Sequence, residues 1–212
     1  MIWAVVLAGL LSCSVRREVR VTEEAAPYPG LRPAVLRHAL DSYACARRQG
    51  LGQRGTLTII DFERPSTERR LWVIDTRDGA LLHHELVAHG KNSGEDLATA
   101  FSNIVDSKQS SIGLFVTAET YDGKHGLSLR LDGLEPTVND RARERYIVIH
   151  GADYVSEAHI EAFGRLGRSW GCPALPLEAS ATIINRIAEG TLLFAYYPEE
   201  DWLEQSTYLH CQ

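Results

Sequence analysis

Apolar residues along this chain recur with two different periods. Between Leu31 and Gln49, Val35, Leu36, Ala39, Leu40, Tyr43 and Ala44 fall three and four positions apart, which makes one face of a helix that Gly50 and Gly52 end. From Thr56 the runs become short and β-branched, and strands are expected over Thr56–Phe62, Leu71–Asp75 and Leu81–Ala88, the last two flanking the turn signal Arg77-Asp78-Gly79. Residues 90–111 are polar and loop-like, long enough to suspect a function. Ile112–Thr117 and Leu127–Leu131 read as strands around Asp122-Gly123, and Tyr146–Ile149 reads as a buried strand that His150-Gly151 ends. Helices are expected over Ser156–Phe163, with Ser156 as N-cap, and over Leu177–Ala188, between Pro176 and Gly190. Thr191–Tyr197 is the last apolar strand. No internal repeat or low-complexity segment interrupts this, and the sum is a mainly β, α+β domain in sandwich style with a few peripheral helices.

The ends look different. Ile2–Leu11 is an apolar stretch of secretory-signal length, although Met1-Ile2-Trp3 lacks the positive charge that usually opens a signal. Leu10-Leu11-Ser12-Cys13 resembles a bacterial lipobox, with Cys13 as the lipidated residue; the alternative is a buried N-terminal helix. Residues 14–30, ending in Ala25-Ala26-Pro27-Tyr28-Pro29-Gly30, read as a linker. The expected division is a signal or lipoprotein segment (1–13), a linker (14–30), an N-terminal helix (31–50), a catalytic domain (51–200) and a C-terminal tail (201–212). It implies an exported protein of the periplasm or cell envelope, attached to a membrane only if Cys13 carries lipid.

Composition narrows the chemistry. With 44% hydrophobic and 24% charged residues the chain is ordinary globular material. Lys+Arg is 22 against Asp+Glu 28, a net charge of −6, so nucleic acid is not an expected partner. Four cysteines without a CxxC spacing make neither a disulfide scaffold nor a thiolate zinc knuckle. Cys45 is expected on the buried helix face and Cys211 in a mobile end; in an oxidising compartment the two can pair, which sequence leaves open.

The densest chemistry lies in Ile149-His150-Gly151-Ala152-Asp153-Tyr154 and Gly167-Arg168-Ser169-Trp170-Gly171-Cys172-Pro173. A histidine at a strand end can take the proton of a thiol or pair with its thiolate. Glycines around the cysteine let backbone N–H groups approach a developing oxyanion. A buried structural cysteine gives the same pattern.

His150-Gly151 followed by Ser169-Trp170-Gly171-Cys172 resembles the signature of the murein L,D-transpeptidase catalytic domain family, the YkuD-type fold. Ser111-Ile112-Gly113-Leu114-Phe115-Val116-Thr117, Asp61-Phe62, Pro65-Ser66, Leu71–Asp75, Val87-Ala88-His89-Gly90 and Lys124-His125-Gly126 are similar to other segments of one branch of it, and the likeness covers roughly residues 55–197. The resemblance implies a β-sandwich with few helices. Its substrate would be a peptidoglycan stem peptide, joined to a second stem through a cysteine thioester, with no metal or organic cofactor.

Carried over residue by residue, Cys172 is the nucleophile and His150 the general acid–base, oriented by the backbone carbonyl of Gly151. The N–H groups of Gly171 and Cys172 form the oxyanion hole, and Ser169 either holds the turn or bonds His150. Tyr121, His125, Tyr154 and Trp170 are candidate substrate walls. The family's usual arginine two positions after the cysteine is replaced here by Ala174, so Arg168, or less readily Arg165, is the candidate to bind a stem carboxylate. Asp153 either fixes its loop or contacts a stem amine. His89 is a candidate to line the cleft, the 91–111 loop to gate it, and Arg141–Arg145 reads as a solvated approach to the next strand. A metal site is not expected: no HExxH occurs, and the adjacent His83 and His84 of one strand point to opposite faces. An L,D-carboxypeptidase or murein amide hydrolase would use the same Cys and His. A non-catalytic wall-binding lipoprotein would need neither, and an ordinary cysteine protease would cleave all-L peptides.

Overall fold

The computed structural model describes residues 27–211; the apolar start, Cys13 and most of the expected linker lie outside the described residues. The elements in chain order are α1 (Pro33–Arg48), β1 (Thr56–Asp61), β2 (Leu71–Asp75), β3 (Leu81–Glu85), β4 (Gly113–Gly123), β5 (Gly126–Gly133), β6 (Val148–Ala152), α2 (Glu157–Phe163), β7 (Ala174–Pro176), α3 (Leu177–Ile187), β8 (Leu192–Tyr196) and α4 (Glu200–Gln205). The result is mostly β-sheet with four helices, an α+β fold. The strands form one mixed sheet, in the order β3-β2-β1-β8-β4-β5-β6-β7.

That sheet curls back on itself. Leu71 and Val73 of β2 share a buried cluster with Leu129 and Leu131 of β5 and Ile149 of β6, strands well separated in the sheet order. Ala88, just past β3, bridges Ala174 of β7, so the two edges of the sheet meet through a two-way pair of backbone bonds. The two layers expected of a sandwich are thus two parts of one rolled sheet. Ile183, Ile184 and Ile187 of α3 fill the rolled interior. The outer face of β1, β2 and β8 is covered by Val35, Leu36, Ala39 and Ala46 of α1 and by Trp202 of α4.

Several expectations shift. Pro27–Gly30 is docked rather than a free linker: Tyr28 is buried and its hydroxyl donates to Gly79 O at 3.0 Å, while Trp72 Nε1 donates to Pro29 O at 2.9 Å. The C-terminal segment is no tail. α4 buries Trp202, whose Nε1 donates to the buried carboxylate of Glu135 at 2.9 Å, as does Ser206 Oγ at 2.6 Å, and a disulfide joins Cys211 to Cys45 of α1. A single aromatic and a cysteine, too sparse to make a period, anchor this end. β7, three residues long, is below what alternation can reveal.

β6 begins at Val148 and runs through His150 and Gly151 instead of ending at them. Glycine at 151 lets α3 pack closely on this strand, since a Cβ there would meet Ser180 Oγ at 2.6 Å. Tyr146 stays outside the strand, with φ 55° and 75% exposed.

Candidate active site

β6 is the inner strand that holds His150, paired antiparallel to β5 at Ser128 and parallel to β7 at Ala174. The ring is 3% exposed, and its Nδ1 lies 2.9 Å from Gly151 O. A carbonyl only accepts, so Nδ1 carries the proton and the lone pair belongs to Nε2. The ring also stacks on His125, centroids 4.5 Å apart.

Cys172 sits in the turn before β7. Ser169 Oγ accepts from Gly171 N at 3.0 Å and donates to Cys172 O at 2.6 Å, closing the turn around the cysteine. Its alternative partner, His150, is not among its bonds. Gly171 has φ 126°, and a Cβ there would meet Gln109 O at 2.8 Å, so only glycine fits. The Gly171 carbonyl accepts from Ser110 Oγ at 3.0 Å, which ties the turn to the 90–111 loop. The Gly171 N–H, expected in the oxyanion hole, is spent on Ser169. A hydroxyl placed inside the turn outcompetes an open position, and Cys172 N–H is left as the donor beside the sulfur.

Cys172 Sγ donates to Tyr146 O at 3.5 Å. Burial pushes its thiol above the ordinary 9.0, opposed by the N–H groups of Val148 and Cys172 and by the charges of Arg145 and Lys124. Burial pushes His150 below 6.5; its bond to Gly151 opposes the shift, and the charges of His125 and Lys124 add to it. Both shifts favour a neutral thiol beside a neutral imidazole. Sγ and the His150 ring line one cavity of about 670 Å³.

A sequence profile described as the L,D-transpeptidase catalytic domain matches residues 28–196. The chain belongs to the L,D-transpeptidase catalytic domain family. That family acts on peptidoglycan stem peptides. No curated protein matches the chain. Among solved structures it is similar to an L,D-transpeptidase from Mycobacterium smegmatis, at 13% identity over 68% of this chain and 59% of that one, TM-score 0.43. It is similar to the helical cell shape determining protein from Campylobacter jejuni, at 12% identity over 77% of this chain and 57% of that one, TM-score 0.45. A third is an L,D-transpeptidase from Xylanimonas cellulosilytica, at 16% identity over 67% and 60%, TM-score 0.39. The chain therefore spans about three fifths of the length of these structures.

In this L,D-transpeptidase domain, Tyr121, His125, Tyr154, Arg168, Ser169 and Trp170 all line the cavity with Cys172 and His150. Tyr154 is pushed upward, mainly by burial and then by the negative charge Cys172 can carry, so it stays a phenol. Arg168 is partly engaged already: it donates to Gly94 O at 2.9 Å and to Glu95 at 2.7 Å, and Arg165 holds the same carboxylate at 2.9 Å. His89 does not line the cleft. It is 1% exposed, and the buried Arg70 donates to its Nδ1 at 2.7 Å. Asp153 is exposed and outside the cavity lining.

The 141–145 charge run divides. Arg141 and Arg143 are solvated and ion-paired, as expected, but Arg145 is half-buried. It donates to Ser107 Oγ at 3.0 Å, to Gln109 O at 2.6 Å, and to Ser102 O and Ser111 Oγ, stitching the 90–111 loop down while its charge bears on Cys172. Arg145 is the guanidinium whose charge favours the Cys172 thiolate, a role apart from the stem-carboxylate contact expected of Arg168 or Arg165. Residue spacing held no signal for it, because it reaches the site from the turn ahead of β6 rather than from the cysteine turn. Asp106, Lys108 and Lys124 also line the cavity. Among the described residues no group of three His, Cys, Asp or Glu side chains is placed to hold a metal, and no helix is long and apolar enough to cross a membrane.

Proposed function

We propose that this protein is an exported peptidoglycan L,D-transpeptidase working through a thioester on Cys172. The observation that carries the reading is the bond from His150 Nδ1–H to Gly151 O, which leaves the Nε2 lone pair as the base of a cavity that also holds the thiol. A neutral imidazole takes the thiol proton as sulfur attacks, so no standing ion pair is needed.

Sγ adds to the carbonyl of the L-centre of the stem's third residue, usually meso-diaminopimelate. The C–N bond to the terminal D-alanine breaks as His150 returns the proton to the departing amine. An amine of a second stem then attacks the thioester, His150 takes its proton, and the thiol is released with a third-to-third-residue cross-link formed. The backbone N–H of Cys172 would stabilise the oxyanion. Burial of the sulfur keeps the thiol protonated until a carbonyl is in place, while the Arg145 charge favours the thiolate once its proton is taken. The Cys45–Cys211 disulfide supports export, since such bonds persist in oxidising compartments.

The test is incubation with a disaccharide-tetrapeptide, read by mass spectrometry. A dimer lighter than two tetrapeptides by one free alanine, absent with Cys172→Ala, is expected. Tripeptide and alanine without dimer would make water the acceptor and the protein an L,D-carboxypeptidase. Binding without any product would make it a wall-binding protein.

A further inference from the structure

The chain has three lysines, Lys91, Lys108 and Lys124, against 22 cationic residues in all. They come from two separate segments, the 90–111 loop and the β4–β5 turn, yet all three ammonium groups converge on one side chain. Their Nζ atoms lie 5.8, 5.0 and 5.7 Å from the centre of the Trp170 ring. Trp170 is 69% exposed, lines the cavity, and sits two residues before Cys172. Every salt bridge among the described residues uses arginine as its cation, and none of the three lysines has a carboxylate partner there.

This arrangement sets like charges against one another. No two of these charges can be farther apart than about 12 Å, near one Debye length, so they repel one another. Lys108 also sits at φ 58°, a left-handed conformation that a residue with a side chain rarely adopts. The cation–π attraction offsets part of the repulsion, but an indole is no counter-charge. Asp106 is the acidic residue lining the cavity, against Lys108, Lys124, Arg145 and Arg168. On a chain of net charge −6, this mouth is a local excess of positive charge.

We infer that Lys91, Lys108, Lys124 and Trp170 form a carboxylate-binding subsite, in which the ammonium groups hold free carboxylates of the stem peptide while its methylenes lie on the indole. The inference deepens the reading above and rests on it. Flexible ammonium groups suit a carboxylate whose position differs from stem to stem, whereas arginine forks would demand one orientation. Two of the stem's free carboxylates are the candidates: that of diaminopimelate and that of the terminal D-alanine.

Because no other lysine exists in the chain, an amine-acylating reagent reports on this subsite alone, apart from the α-amine. Full-length Cys172→Ala protein is acylated in the presence of the tetrapeptide, of its two singly amidated forms and of its doubly amidated form, with peptide mass mapping. The free acid is expected to slow acylation of the three lysines about tenfold, the scale of one charge-assisted hydrogen bond. The singly amidated form that loses protection names the carboxylate. Equal protection by the doubly amidated stem, or none by the free acid, overturns the subsite. In the active enzyme, K91Q/K108Q/K124Q is expected to raise KM about tenfold and shift kcat by less than about threefold, since these groups bind rather than react. Unchanged KM overturns it equally. A stem acyl-enzyme on Cys172 without charge-dependent protection removes the subsite and leaves the transpeptidase reading. Absence of both removes that reading too.

Discussion

Two histidine-glycine pairs, His89-Gly90 and His150-Gly151, are alike in sequence and both bury the ring, at 1% and 3% exposure. Their surroundings make them opposites. His89 lies between a donor and an acceptor: Arg70 donates to its Nδ1 at 2.7 Å, and its Nε2–H donates to Gly94 O at 3.4 Å. Its lone pair is spent, and burial followed by the Arg70 charge pushes it down to about 3. His150 uses only its N–H, on Gly151, and keeps its lone pair. A general base must have an unspent lone pair, so the partner at Nδ1 decides which ring can act. His89 instead secures the neighbouring backbone, whose carbonyl accepts from Ser169 N at 3.0 Å, and the Cys172 turn is fastened to that segment. In the proposed mechanism one pair supplies the base, and the other fastens the turn that carries Cys172.

Exchanging these roles by mutation is the strongest way to break the comparison. His150→Gln should lower kcat/KM by about 10²- to 10⁴-fold with little change in the urea midpoint. An equal loss from His89→Gln with the fold intact would erase the distinction. Next is Arg70→Met, which orphans the Val87 and Arg64 carbonyls and His89 Nδ1; we expect a loss of about 3–5 kcal/mol in urea unfolding.

The third prediction concerns acid. His89 has a folded value near 3 against 6.5 for a free histidine, so between these limits the unfolded chain binds the extra proton. Stability is therefore full above pH 6.5 and falls as pH drops toward 3, by up to roughly 4 kcal/mol. His150 contributes in the same direction. Urea midpoints at pH 7 and pH 4 measure this, and His89→Gln should flatten the dependence; an unchanged slope would place the acid sensitivity elsewhere. The smallest effect belongs to His125, whose charge helps to hold His150 below 6.5. His125→Ala should move the acidic limb of kcat/KM upward and change its plateau by less than about tenfold. A limb that moves downward would contradict the charge coupling.

Much of the fold was legible in local apolar pattern. The apolar face of α1 declares itself by its period, and β1 and β8 as short apolar runs buried at every position. Ser156 was readable as an N-cap, and its hydroxyl does accept from His159 N at 3.2 Å. What failed to show were elements too short for a period and placed by distant partners, such as β7 against β6 and Ala88, and α4 through Trp202 on Glu135.

The amino-acid sequence by itself determined the class of fold, the family, and the His150 and Cys172 positions, because local periodicity and a dense motif need no distant partner. Only the tertiary structure decided that Gly171 N–H is occupied, that His89 is locked, that Arg145 reaches the sulfur's surroundings and that three lysines meet at Trp170. Each depends on curling one sheet until its edges touch. Hydrogen-bond partners and fields are properties of distance in space, which residue spacing along a chain does not encode.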